Sequence, residues 1–327
     1  MNKTERERLA FELVPGEKRG WVDRASHPSA DICFSVLRRQ GAADAPLLFI
    51  HGAASNASRY EAFFETSVLS ERHPLIRLDL RGHGASEGSR PATLERHAAD
   101  IAAVLDCAGF RRAVLVGHSL GAHVAMYAAA AYPERVLGLA LIDPLAPEAL
   151  VIEAERCRSR QMILVVAEAL GRLVDALGFQ RRLPRYSLRR EDEAAQECLR
   201  QGGKALERFV KRYSSPWEDL KHMHLADYAR DFLEVGRATP DAMLEQLRIP
   251  MCVMASKRGA YTDADRLRAW ANKFRAAFAL LDCVHWPLTE CPQAVAAVLA
   301  DWTQSMGKSE SLPTKTARSK NPGGLAS

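Results

Sequence analysis

The chain has 327 residues, of which 47% are hydrophobic and 26% charged. That is the composition of a globular protein, and it excludes a mostly disordered, collagenous or coiled-coil chain. Forty-five Lys and Arg against 40 Asp and Glu leave a net charge of +5, less than a dedicated nucleic-acid binder carries.

The length suits one large domain with an insert or two modest domains, with ample material for a core. Seven cysteines (33, 107, 157, 198, 252, 283 and 291) are an odd, scattered set with no C-x-x-C. Neither a disulfide framework nor a zinc site is expected; reduced thiols in a cytoplasmic protein are. The charged start, Met1 to Arg8, has no apolar stretch behind it and so does not read as a secretory signal. Apolar runs such as Met162 to Ala167 are too short to span a bilayer, so no transmembrane segment is expected.

In chain order, Asp31 to Arg39 reads as a strand feeding a turn at Gln40-Gly41. Continuously apolar runs follow at 47–50, 75–80, 113–116 and 136–142, ending at His51-Gly52, Arg81-Gly82-His83-Gly84, Gly117-His118-Ser119-Leu120-Gly121 and Asp143-Pro144. Runs of this kind mark strands buried on both faces of a parallel sheet. After Thr93, a suitable N-cap, apolar residues at 94, 98, 101 and 105 predict a helix that ends at Gly109. The Ala-rich stretch from Leu120 to Ala131 predicts another, stopped by Pro133. Strand alternating with helix at this spacing means βαβ units with right-handed crossovers.

From about 147 to 235 the pattern is helical only, with helices expected over 161–177 and 191–213. Strands resume at Met251 to Ala255 and Phe278 to Leu281, and a last helix begins at Pro292 with Val295, Val298, Leu299 and Trp302 on one face. Residues 1–146 and 236–306 therefore form an α/β core, and 147–235 a helical insert. The Ser-, Lys-, Pro- and Gly-rich stretch 307–327 reads as a disordered tail.

The segment Gly117-His118-Ser119-Leu120-Gly121 fits G-x-S-x-G. An apolar strand enters it and an Ala-rich helix leaves it, which is the setting of an exposed nucleophilic serine on a sharp turn. The two glycines leave room where side chains would collide, and the helix N-terminus points unpaired N–H groups toward developing negative charge. A serine needs a base, and His285, in a loop between the last strand and the last helix, is the candidate. His51 and His83 sit in turns, and His222-Met223-His224 lacks a nearby third ligand, so no metal is expected.

With His51-Gly52, Asp79-Leu80-Arg81-Gly82-His83-Gly84-Ala85-Ser86, the Ser119 turn and His285 in this order, the chain resembles the α/β-hydrolase superfamily, in particular its cap-bearing serine esterases and lipases, over about residues 30–305. The resemblance implies an acyl-enzyme at Ser119, His285 as base, and an oxyanion hole from the N–H groups of Ala53 and Leu120. It implies that 147–235 caps the site, and it implies no cofactor. The chain departs from the commonest pattern at the acid: Gly259 stands where an Asp is usual. The acid is then Asp143, at the end of the strand after the nucleophile helix, or else Asp263 or Asp265 from a longer loop.

The substrate expected is a small molecule, a carboxylic ester with a hydrophobic acyl or alcohol part. Thioester or carbon–carbon bond hydrolysis on the same scaffold, and a binding or sensing protein with weak turnover, are the alternatives. Nine arginines between 156 and 190 against only Glu168 and Asp175 leave room for an anionic substrate or surface. No nucleic-acid partner is expected, because aromatics are 7% and no binding motif occurs.

Overall fold

The computed structural model describes residues 4, 7–8, 10–23, 31–86, 92–151, 154–179, 183–184, 186–213, 215–259 and 261–310. Eight strands form one sheet in the order β1-β2-β4-β3-β5-β6-β7-β8. They are β1 (Glu17–Val22), β2 (Ile32–Leu37), β3 (Leu47–Ile50), β4 (Leu75–Leu78), β5 (Ala113–His118), β6 (Val136–Ile142), β7 (Met251–Ser256) and β8 (Ala277–Leu281). β1 and β2 are antiparallel additions, and β3 to β8 are mutually parallel.

The apolar runs became the central strands because both faces are covered: every residue of β3, β4, β5 and β7 is buried. β1 has no such run, since at the sheet edge its Lys18 is exposed and Arg19, Gly20 and Trp21 are half-buried, and the sequence reading missed it. Its Glu17 is turned inward onto fully buried Arg77, at 2.8 and 2.6 Å.

Flanking helices are α1 (Glu61–Thr66), α2 (Leu94–Cys107) and α3 (Leu120–Ala131). Thr93 caps α2 through the Arg96 N–H, and Leu94, Ala98, Ile101 and Leu105 are all buried, as their spacing requires. Between β6 and β7 come α4 (Ala154–Ala176), α5 (Arg189–Gln201), α6 (Gly203–Tyr213), α7 (Pro216–Asp219), α8 (Leu225–Arg237) and α9 (Pro240–Leu244). The single helix expected over 191–213 is two helices. Gly202 and Gly203 both take positive φ, 64° and 49°, and break it where a side chain would resist. Among the described residues one isolated antiparallel bridge joins Leu150 to Thr262.

α4 packs closely on α8, where a Cβ on Gly171 would come within 2.7 Å of the Ala226 nitrogen. The apolar row Met162, Val165, Val166 and Leu173 on α4, with Leu177 just past its end, faces solvent, because the helix turns Glu168 inward onto Arg230.

The chain closes with α10 (Ala264–Lys273), β8, α11 (Pro287–Glu290) and α12 (Pro292–Glu310). Residues 307–310, read as tail from composition, continue α12 instead, whose buried face already carries Val295, Leu299 and Trp302. The rest of that stretch, 311–327, lies outside the described residues. So do Arg181, Arg182 and Arg185 of the arginine-rich segment, and the side chains of Arg156, Arg158 and Arg160.

Candidate active site

Ser119 joins β5 to α3 with φ 53° and ψ −115°, a strained conformation for a residue with a side chain. The turn survives because its neighbours are glycines. A Cβ on Gly117 would lie 2.2 Å from the Gly121 carbonyl oxygen, and one on Gly121 would lie 2.1 Å from that of Ile50. Gly52, at the end of β3, brings its backbone against Ser119: a Cβ there would be 3.3 Å from the serine Cβ.

Asp143 follows β6 directly, fully buried and with φ 46°. Its Oδ2 accepts from His285 Nδ1 at 2.6 Å and from Ser256 Oγ at 3.0 Å. Its Oδ1 accepts from the Ser256 N–H at 3.1 Å and from Thr262 Oγ1 at 3.4 Å. Burial alone would raise this carboxyl, but the His285 hydrogen bond, the histidine's charge and the Ser256 N–H outweigh it and hold the carboxyl below its ordinary value.

The histidine loop is fixed from both sides. The Glu290 carboxylate accepts the backbone N–H groups of Val284, His285 and Trp286 at 2.8, 3.0 and 2.9 Å. His118 Nε2 donates to the His285 carbonyl at 2.7 Å. Burial, reinforced by neighbouring His285, pushes His118 down to about 3, so it is the neutral donor this bond needs. Tyr261 meets the His285 ring edge-on, with centroids 4.5 Å apart.

With Nδ1 on Asp143, the other ring nitrogen of His285 is left for chemistry. Ser119 and His285 line one cavity of about 700 Å³ without a hydrogen bond between them. Such bonds are often long before substrate binds. Gly52 and Ala53 lie on the cavity wall, and Leu120 is the first residue of α3, where a backbone N–H has no helical acceptor. From α4 the wall receives Ile163, Leu164 and Ala167.

Neither Asp263 nor Asp265 reaches His285. Asp263 caps α10, accepting the Arg266 N–H at 2.9 Å, and Asp265 sits in that helix's first turn. Gly259 cannot be replaced by the usual Asp without movement, since a Cβ there would lie 2.3 Å from the Thr262 carbonyl oxygen.

His51 is structural, with Nδ1 2.8 Å from the Gly52 oxygen and Nε2 accepting the Leu80 N–H at 3.0 Å. His83 pairs with buried Asp231 at 3.0 Å. His222 stacks on Tyr186, and His224 precedes α8. No group of three or more His, Cys, Asp or Glu among the described residues could hold a metal ion. Sequence reasoning missed His118, Ser256, Thr262 and Glu290. Only Glu290 left a trace, as a carboxylate in the first turn behind Trp286-Pro287.

The profile of the family described as the alpha/beta hydrolase fold matches residues 45–290, and the chain belongs to that family. A solved hydrolase from Pseudomonas aeruginosa PA01 superposes with a TM-score of 0.62 at 24% identity, covering 87% of this chain and 97% of that one. An esterase from Thermogutta terrifontis gives 0.62 at 22%, covering 88% and 99%. Both likenesses concern the fold. In sequence, the chain is 41% identical over 85 residues to lipase LipV of Mycobacterium tuberculosis, covering 26% of this chain and 31% of that protein. It is 40% identical over 100 residues to the 2-(acetamidomethylene)succinate hydrolase of Mesorhizobium japonicum, covering 30% and 34%. The matched segments span about a third of these relatives' lengths.

Proposed function

We propose that the protein is a serine hydrolase that cleaves carboxylic esters through an acyl-enzyme on Ser119. The observation that carries this reading is the 2.6 Å contact of His285 Nδ1 with buried Asp143, in a histidine that shares a cavity with a serine on a strained strand-to-helix turn. The names of the relatives, a lipase and a hydrolase, agree with it.

In this reading His285 Nε2 takes the proton as Ser119 Oγ attacks the ester carbonyl. The N–H groups of Ala53 and Leu120 stabilise the tetrahedral oxyanion, each donor contributing about 3 kcal/mol of barrier lowering. The imidazolium then gives its proton to the departing alcohol, and water, activated by the same histidine, releases the acid. Asp143 holds the imidazole in one tautomer and compensates its charge. With Gly259 where an Asp is usual, this reading takes Asp143 as the acid, supported by its contact with His285. The helical segment 147–235 would act as the cap, since its Leu164, Ala167, Tyr186 and Tyr228 wall the cavity.

Stopped-flow hydrolysis of p-nitrophenyl butanoate tests the reading. A burst of nitrophenol equal to the enzyme concentration is expected, absent in Ser119→Ala. Undiminished turnover by Ser119→Ala would overturn it.

A further inference from the structure

The cavity wall is not uniform. Gly52, Ala53 and Ala54 give one stretch of it only backbone and small side chains, Tyr261 and Trp286 stand beside His285, and the helical segment contributes further aromatic rings together with carboxylates. Tyr186 stacks on His222 with ring centroids 3.3 Å apart and planes 2° from parallel. Tyr228 and Phe232, one turn apart on α8, lie with centroids at 4.9 Å.

Glu191, Glu218 and Asp219 line the same cavity, against Arg59 as the one arginine or lysine among its described lining residues. Arg59 is already engaged, 2.5 Å from Asp192 Oδ1 and 3.0 Å from Thr289 Oγ1. Glu218 is engaged as well, 2.7 Å from Lys221 Nζ. The Asp219 carboxylate has no hydrogen bond or ion pair among the described residues. Burial pushes it up to about 7, Glu218 adds to that rise, and Arg59 opposes it.

We propose that the ester taken by this site carries a cationic ammonium group, held among these aromatic rings and by the carboxylate of Asp219. The proposal rests on the hydrolase reading above and gives it a substrate class. Aromatic faces attract an ammonium ion through their quadrupoles, the more so when water is displaced. A half-buried carboxylate without a partner is costly, and a ligand cation relieves that cost where a neutral or anionic group does not. The arginines that left room for an anionic substrate in the sequence contribute only Arg172, Arg189 and Arg190 as described side chains, and none of these lines the cavity.

The test compares choline butanoate with 3,3-dimethylbutyl butanoate, which has the same shape without the charge. In the wild type, kcat/KM for the cation should exceed that for the isostere on the order of tenfold. Asp219→Asn should bring the ratio toward one, and Asp219→Glu should keep most of it. In Ser119→Ala, calorimetric binding of choline butanoate should be measurable and weakened by adding Asp219→Asn. Turnover of both esters at a ratio of one or below overturns the proposal and leaves the hydrolase reading standing. Binding that depends on Asp219 without any turnover supports the pocket and overturns the hydrolase. Neither binding nor turnover overturns both.

Discussion

In the proposed mechanism Asp143 is the residue on which the chemistry turns. Its position after β6 and its left-handed φ of 46° aim the carboxylate at His285, and Ser256 and Thr262 fix both oxygens. Asp143→Asn should lower kcat for p-nitrophenyl butanoate by roughly 10²–10⁴-fold, because the imidazole loses its orienting acceptor. Asp263→Asn should stay within a few-fold, its cap on α10 being worth about 1 kcal/mol of stability or less. Adding Gly259→Asp to Asp143→Asn should not restore activity, since the tight turn at Thr262 excludes a side chain at 259. Steady-state kinetics on the three variants decide the matter. Ser119 and His285 stood out in the sequence because each sits at a punctuated strand end. Asp143 stood out less, with Asp263 and Asp265 open beside it, since a carboxylate after an apolar run is also a common strand terminator. Ser256 and Thr262 carried no signal at all: their role exists only once β7 lies beside β6.

At the scale of elements, the strand-to-helix turn after β5 is held by backbone packing. A side chain at 121 would overlap the carbonyl end of β3. Gly121→Ala should therefore cost several kcal/mol of stability or displace Ser119. A lowered urea midpoint together with slowed acylation would show this, and a variant unchanged in both would refute the packing argument. The helices with one buried stripe, α2 above all, were legible from spacing. α4 was not. Its apolar residues run round most of the helix, and the side that meets α8 and the cavity was chosen by Gly171, Glu168 and Ala167. β1 was missed for the complementary reason, an edge strand whose charged residues are half-exposed or turned onto Arg77.

For the whole molecule, the parallel sheet was legible because its strands are covered on both faces and must be continuously apolar. No described helix is long and apolar enough to cross a membrane. The same coverage buries several histidines and gives stability a pH dependence. Burial pushes His123, on the inner side of α3, down to about 4. Between its unfolded value of about 6.5 and 4, the unfolded chain takes up a proton there that the folded chain refuses. That contribution to stability is full above about pH 6.5 and falls by roughly 1.4 kcal/mol per pH unit on acidification. His123→Leu should flatten the fall by about one proton's worth, measured by urea unfolding at pH 4.5 to 7. An unaltered slope would mean that His123 is not held neutral.

The central claim is that Ser119, His285 and Asp143 act as one unit, and labelling with a fluorophosphonate followed by peptide mass spectrometry tests it most directly. One adduct per chain on Ser119, lost in His285→Ala and strongly slowed in Asp143→Asn, is the result expected. A folded protein that takes no adduct on Ser119, or takes it equally fast without His285, would contradict the account.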